Sequence, residues 1–451
     1  MQDAIAQTES AFLSLETAAA IVVVLTALAA WINERFIHLP RAIGTMLAGL
    51  LVAAIAMVID WADIGQFDIA TYGAHHYNFS QIVLNLLLPF ILFAAAMQID
   101  LSGLAKSGPG IAYLSTIGVV IFVGIWGTLI WLVMNMIDRH VGPDIGISFP
   151  AAILFATMMA STDAAAVLST MRHTVLPRQV RTLIAGESLF NDAVSIVLFL
   201  TVLTFIASGH EVNAADAAWV LGKEIIGGLL IGFGGGLIGS YMLNTCKGYS
   251  TQVLVTVGVV LGGSVLANAP MINASSPLAM VVAGIVIARC RVYVEAGEQH
   301  PLVMFWRFTD NAMNGILFLL IGLELLVIAD KFHWSMVCTA VICFPLLLIA
   351  RYLSLFLPWT FFSKTIFRRR LTHVDLGLLT WCGLRGGIAI ALAFRIPENL
   401  ENGDLRDTFI VGAFVIVLLS MLVQGLSTSA IARRLSRTVV AAEKAAGQDA
   451  I

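Results

Sequence analysis

The chain has 451 residues, 59% of them hydrophobic and only 12% charged, with a mean hydropathy of +0.92. Soluble globular chains carry about 25% charged residues, so this composition excludes a water-soluble domain protein and defines an integral membrane protein. The net charge of −3 comes with no basic patch on a soluble domain, which excludes nucleic acid as a partner.

The N-terminal segment MQDAIAQTESAFLSLE carries Asp3, Glu9 and Glu16 and no basic stretch. That is unlike a cleaved signal peptide, and this end is expected to stay outside the cell. Apolar runs of about 20 residues mark membrane helices. Thirteen are expected, centred near residues 25, 50, 90, 123, 160, 193, 230, 260, 283, 316, 347, 383 and 418.

Taken in order, span 3 reads LLLPFILFAAAMQID and is unbroken apart from its proline. Span 5 reads FATMMASTDAAAVLS, with Ser161, Thr162 and Asp163 at mid-membrane depth. Span 6 opens GESLFNDAVSIVLFL, which places Glu187, Ser188, Asn191 and Asp192 in little more than one helical turn. Span 7 holds the glycine run GGLLIGFGGGLIG from Gly227 to Gly239. Gly228, Gly232 and Gly236 recur every four residues and offer a close-packing face. The same run contains a G-x-G-x-x-G at Gly234, Gly236 and Gly239, but no strand surrounds it, so nucleotide binding is discounted. Span 10 ends LIGLELL, with Glu324 expected at the membrane interface. Near the cytoplasmic start of that span lie Asp310 and Asn314, whose role the sequence leaves open. Span 11 carries Arg351, and span 12 reads LLTWCGLRGGIAIALAF, with Gly383, Gly386 and Gly387 around Arg385. About 15–20 polar residues follow span 13, too few to bury a core.

The loops alternate in charge. One side holds Arg35, Arg41, Lys106, Arg172, Arg178, Arg181, Lys247, Arg289, Arg291, Arg307, Lys364, Arg368, Arg369, Arg370, Arg433, Arg434, Arg437 and Lys444. The other holds only Arg139, Lys223, Lys331, Arg395 and Arg406. Eighteen against five places the first side in the cytoplasm, hence the N-terminus outside and the C-terminus inside. An odd number of spans agrees with that.

Spans 5 and 12 occupy corresponding places if spans 1–6 and 8–13 are two repeats joined by span 7. Six spans precede the joint, so the repeats have inverted topology. Interrupted backbone at membrane depth is tolerated only where protein or a wet cavity satisfies it. A matched pair of interrupted spans in inverted repeats points to a transporter's substrate site.

On a helix, Glu187 and Asn191 are four apart, as are Ser188 and Asp192, so the four share one broad face. Ser195 continues it and reads as a packing hydroxyl. A charge at mid-membrane costs about 3 kcal/mol on insertion scales. The buried acids Asp163, Glu187 and Asp192 face only two buried arginines, Arg351 and Arg385. One carboxylate is left over, and Asp192 is the candidate because Ser188 and Asn191 set neutral oxygens beside it. A hard cation takes such oxygens and freed backbone carbonyls. Without a cation, burial favours the protonated acid, so Na+ and H+ would compete for one group. The plainer reading, a buried network that only fixes helix packing, stays open for Glu187, Arg351 and Arg385.

The five cysteines, Cys246, Cys290, Cys338, Cys343 and Cys382, have no metal-ligand spacing and read as small core residues. The nine histidines lie in or beside loops. His173 is a candidate pH sensor against the plainer reading of a solvated side chain. An enzymatic reading finds no support: GESLF is not a G-x-S-x-G elbow, and no buried histidine stands ready as a base. No cofactor is expected.

Three segments carry a resemblance. STDAAAV (Ser161 to Val167), GESLFNDAVSIVLF (Gly186 to Phe199) and GLRGGIAIALAF (Gly383 to Phe394) resemble the signature segments of NhaP-type sodium/proton antiporters. These belong to the monovalent cation/proton antiporter family, which also contains the eukaryotic sodium/proton exchangers. LFLLIGLEL in span 10 and ARYLSLF in span 11 are similar too. The resemblance implies an all-α membrane protein of about 13 helices in two inverted six-helix repeats, with broken helices 5 and 12 crossing. It implies one polytopic transport domain, residues 1–435, with a cytoplasmic tail at 436–451. The core would be spans 4–6 and 11–13 (residues 110–207 and 335–433), and spans 1–3 and 7–10 would form a homodimer scaffold. By this likeness Asp192 carries the cation or proton, with Asn191 beside it and Ser188, Asp163 and Thr162 around the ion. Glu187 would pair with Arg351, and Asp163 would lie near Arg385. The Asn191-Asp192 pair resembles the electroneutral branch, one Na+ or Li+ for one H+. The chain departs from several relatives at Ala94, where they carry an acid, which leaves the ion preference open. The short tail resembles a self-contained bacterial exchanger of the inner membrane serving pH homeostasis. K+/H+ exchange by the same machinery is the near alternative, and an ion channel or ion-gated sensor on the same fold is the more distant one.

Overall fold

The computed structural model describes residues 15–62, 79–141, 146–171, 178–208, 214–290, 300–331, 333–362, 372–397, 400 and 404–434. His173, the N-terminal acids Asp3 and Glu9, and the tail at 436–451 lie outside them. All regular structure among the described residues is helical, as expected where lipid offers no partner to a free backbone amide. In chain order the helices are α1 (Leu15–Ile32), α2 (Arg41–Trp61), α3 (Phe79–Gln98), α4 (Leu101–Ser115), α5 (Ile117–Val141), α6 (Phe149–Met158) and α7 (Ala164–Thr170). There follow α8 (Arg178–Ser208), α9 (Ala214–Thr245), α10 (Tyr249–Ala267), α11 (Ser276–Ala288), α12 (Pro301–Leu323) and α13 (Leu325–Ile328). The last four are α14 (Trp334–Phe362), α15 (His373–Trp381), α16 (Gly387–Ala393) and α17 (Leu405–Arg434).

Nine helical segments among the described residues are long and apolar enough to cross a membrane, and α6 and α11 are shorter apolar helices. The chain is a multi-pass membrane protein. One element was not expected: the stretch before residue 117, with Lys106 read as a loop, is the helix α4. Asp100 caps it, its carboxylate accepting from the Ser102 and Gly103 amides at 3.1 and 3.2 Å. Its glycines and Pro109 dilute the apolar signal, yet α4 packs along α8, where a Cβ on Gly186 would press on Ile111.

The chain forms two compact units. Among the described residues, the first contains 15–62 and 311–330. Within it, α2 and the end of α12 meet at glycines. A Cβ on Gly49 would strike the Leu319 carbonyl, and one on Gly322 would strike the Met46 carbonyl, so only bare backbone lets them approach this closely. Glu324 is buried, and its Oε2 finds no partner among the described residues.

The second unit contains the described residues between 79 and 310 and between 331 and 434. Here the glycine run of α9 lies along α11. Cβ atoms on Gly228, Gly232 and Gly236 would meet Ser275, Ala279 and Val286 respectively, whereas Gly234 faces open space. The run is a packing stripe. Asp310, left open by the sequence, accepts from Gln98 Nε2 at 3.3 Å. The cysteines among the described residues form no disulfide, and Cys290, Cys343 and Cys382 are buried.

The two expected interruptions are both present. Helix α6 stops at Met158 and α7 resumes at Ala164; α15 stops at Trp381 and α16 resumes at Gly387. The two links touch: the Asp163 amide donates to the Leu384 carbonyl at 2.8 Å. A Cβ on Gly386 would stand 2.9 Å from Asp163 Oδ2, so the links approach this closely because position 386 has no side chain.

Candidate functional site

Each link exposes backbone groups that a continuous helix would satisfy, and α8 lies against the first link to take them. Ser188 Oγ donates to the Thr162 carbonyl and accepts from the Ala164 amide at 3.0 Å, spanning Asp163 from both sides. Asn191 Nδ2 donates to the Ala160 carbonyl at 2.8 Å and, more weakly at 3.4 Å, to Thr162 Oγ1. Ser195 donates to the Asn191 carbonyl and to Asn191 Oδ1 at 2.9 and 3.0 Å, which fixes the carboxamide with its NH2 toward the link. Asp163 caps α7, accepting from the Ala166 amide at 2.9 Å. The four-residue spacing that set Ser188, Asn191 and Asp192 on one face of α8 thus places all three against the break.

The charges sort themselves. Glu187, on α8, meets Arg351 of α14, with Oε1 and Nη2 2.5 Å apart and both side chains buried. Gly383 leaves room for that arginine, since a Cβ there would stand 3.2 Å from Arg351 Nε. Arg385, fully buried on the second link, sends Nη1 to the carbonyls of Ala160 and Ser161 at 2.9 and 3.1 Å. Its guanidinium also stacks over the Phe122 ring, 4.6 Å from the centroid, an attraction that strengthens with desolvation. Asp163 therefore meets the backbone beside Arg385 rather than its guanidinium.

Asp192 is left without an arginine. It is 8% exposed, and its Oδ1 accepts from the Ser161 hydroxyl at 2.8 Å. No lysine or arginine among the described residues stands within ion-pair distance of it. The eight residues singled out in the sequence, Thr162, Asp163, Glu187, Ser188, Asn191, Asp192, Arg351 and Arg385, converge on this one place. The sequence marks Ser161 only as part of the break and Ser195 as a packing hydroxyl. The first proves to be the donor to Asp192 and the second to orient Asn191. Their signal was the same four-residue spacing and the polar break, but which hydroxyl reaches which partner depends on how α6 and α8 meet.

A polytopic helical membrane protein whose broken helices meet over a buried, arginine-free carboxylate has the build of a secondary ion transporter. The chain belongs to the sodium/hydrogen exchanger family, whose transmembrane model matches residues 21–434. The Na+/H+ antiporter NhaP of Pseudomonas aeruginosa is 32% identical over 419 residues, spanning 92% of this chain and 95% of that one. The Na+/H+ antiporter NhaG of Bacillus atrophaeus is 27% identical over 363 residues, or 79% of this chain and 64% of that one. In three dimensions the fold is similar to that of the sodium proton antiporter MjNhaP1 from Methanocaldococcus jannaschii. The TM-score is 0.71 at 19% identity, covering 92% of this chain and 97% of the other.

Proposed function

We infer that this protein exchanges Na+ or Li+ for H+ electroneutrally by alternating access, with Asp192 binding cation and proton in turn. One observation carries the reading: of the acids on α8, Glu187 is paired with Arg351 at 2.5 Å, while Asp192 accepts from the Ser161 hydroxyl and has no lysine or arginine within ion-pair distance among the described residues. A buried carboxylate without a fixed counter-charge binds a mobile one or takes a proton. Thr162 and Asp163 add oxygens in the same break, whose backbone Ser188 and Asn191 hold through the Thr162 and Ala160 carbonyls. These oxygens suit a hard monovalent cation as substrate. The family membership and the antiporter relatives support the same chemistry.

The rest of the picture follows from this reading. Spans 1–6 and 8–13 form inverted repeats, with residues 110–207 and 335–433 as the moving core, the remaining spans as a homodimer scaffold, and no cofactor. The chain sits in the inner membrane with its N-terminus outside, and it serves pH homeostasis. The test is an imposed pH gradient across proteoliposomes holding the purified protein. Adding Na+ or Li+ is expected to dissipate the gradient without generating a membrane potential. Dissipation by K+ alone would assign K+/H+ exchange, and a current that follows the applied potential would assign a channel.

A further inference from the structure

Helix α17 is not regular where it passes the second break. Over Ser420–Gly425 it widens into a π turn, a distortion that costs hydrogen-bond geometry and recurs at functional sites. Two polar side chains in this turn are completely buried, Ser420 and Gln424, and both are aimed at the link between α15 and α16. Ser420 Oγ accepts from the Arg385 amide at 2.9 Å and donates to Gln424 Oε1 at 2.7 Å. Gln424 Nε2 donates to the carbonyl of Trp381, the last residue of α15, at 3.0 Å. The pair therefore satisfies one backbone acceptor and one backbone donor that the break in the helix sets free, on either side of Gly383.

From there the connections run without a gap to the carboxylate. Arg385, fixed through its amide by Ser420, holds the Ala160 and Ser161 carbonyls with Nη1. Leu384, between the two clamped positions, accepts from the Asp163 amide. Ser161, held by its carbonyl, gives its hydroxyl to Asp192. We propose that Ser420 and Gln424 are positioning residues of the ion site, a polar clamp on α17 that sets the register of the second break and, through Arg385, the aim of Ser161 at Asp192. The proposal rests on the exchange reading. It predicts effects on ion affinity and selectivity, which a mere staple between α15 and α17 would leave untouched.

The test uses the full chain with Ser420→Ala, Ser420→Thr and Gln424→Met. KM and Vmax for Na+ and for Li+ are read in proteoliposomes, and Na+-dependent thermal protection is read in detergent. Ser420→Ala and Gln424→Met are expected to raise the KM for Na+ roughly five- to tenfold, the effect of one lost buried hydrogen bond, and to change the Li+/Na+ ratio. Vmax should stay within about twofold, and Ser420→Thr, which keeps the hydroxyl, should behave as the native protein. The proposal is overturned if both variants keep the native KM and Li+/Na+ ratio, whatever happens to Vmax or melting temperature. It is also overturned if neither can be obtained folded while Ser420→Thr can, which would make the clamp a fold element only. A native protein that moves no protons on adding cations would sink the exchange reading; Na+ protection that weakens in the variants would then still uphold the clamp, and unchanged or absent protection would end it.

Discussion

Glu187 and Asp192 lie five positions apart on α8, both buried, yet Arg351 reaches only Glu187, at 2.5 Å, while Asp192 holds the Ser161 hydroxyl at 2.8 Å. On the proposed exchange reading, this asymmetry divides the work. An acid locked to an arginine cannot give up its charge without leaving the arginine unpaired, whereas an acid facing a neutral hydroxyl can bind a cation or a proton at little cost to its surroundings.

Asp192→Asn tests that division. The carboxamide oxygen still accepts from Ser161, so the packing of α8 on the first break should survive. The variant cannot ionise, and cation-driven proton movement is expected to fall to the level of empty liposomes. Size-exclusion and melting profiles like those of the native protein would show that the fold is intact. Native exchange rates in this variant would remove Asp192 from the carrier role.

Arg351→Ala should act on stability first. It strands Glu187 as an unpaired buried carboxylate, and breaking a buried pair on one side costs about 3–5 kcal/mol. Replacing both partners, Glu187→Gln with Arg351→Ala, should recover part of that loss because neither charge of the pair remains. Melting of the purified single and double variants gives the coupling as a double-mutant cycle. Additive losses would show that the 2.5 Å approach contributes no coupling.

The glycine run offers a prediction free of ion chemistry. A Cβ at Gly232 would strike the Ala279 carbonyl and Val282, whereas nothing lies within 4 Å of one at Gly234. Gly232→Ala is therefore expected to destabilise by about 1–3 kcal/mol through overpacking. Gly234→Ala should be neutral, or stabilising by up to about 1 kcal/mol from helix propensity. Equal melting temperatures for the two variants would refute the packing of α9 on α11 described above.

Much of the site could be read from the sequence because its cause is local. Ser161-Thr162-Asp163 and Gly383 to Gly387 are polar or glycine-rich stretches inside apolar runs, and a membrane helix breaks where such stretches have protein to satisfy them. The count of three acids against two arginines leaves one acid over. In the structure Arg351 holds Glu187, but Arg385 turns to the Ala160 and Ser161 carbonyls, so among the described residues Asp163 as well as Asp192 is without an arginine. What could not be read depends on contacts distant in sequence. Ser161 meets Asp192 across 31 positions, Ser420 meets Arg385 across 35, and Arg385 meets Ala160 across 225. Each pairing is set by where two breaks cross, and no periodicity records that. Helix α4 escapes a hydropathy reading for a different reason: its glycines and Pro109 dilute the apolar signal, and what fixes it is packing on α8.

Ser161→Ala isolates one of those distant contacts, and the sign of its effect can be worked out. The hydroxyl donates to the Asp192 carboxylate and so stabilises the charged form over the protonated one. Removing it leaves the Ser161 carbonyl in place for Arg385, so the break keeps its anchor and only the donor is lost. The proton then stays on Asp192 to higher pH, and at any fixed pH Na+ competes against a proton held more tightly. A hydrogen bond to a charged group contributes about 1.5–3 kcal/mol, and about 1.4 kcal/mol corresponds to one pH unit. The half-activation pH of exchange is therefore expected to move up by about one to two units, with a raised KM for Na+ at neutral pH and a Vmax near native at alkaline pH. Ser161→Thr keeps the donor and should restore the native profile. A profile displaced to acid pH, or a loss of Vmax at every pH with an unmoved midpoint, would show that Ser161 acts on the backbone of the break and not on the carboxylate.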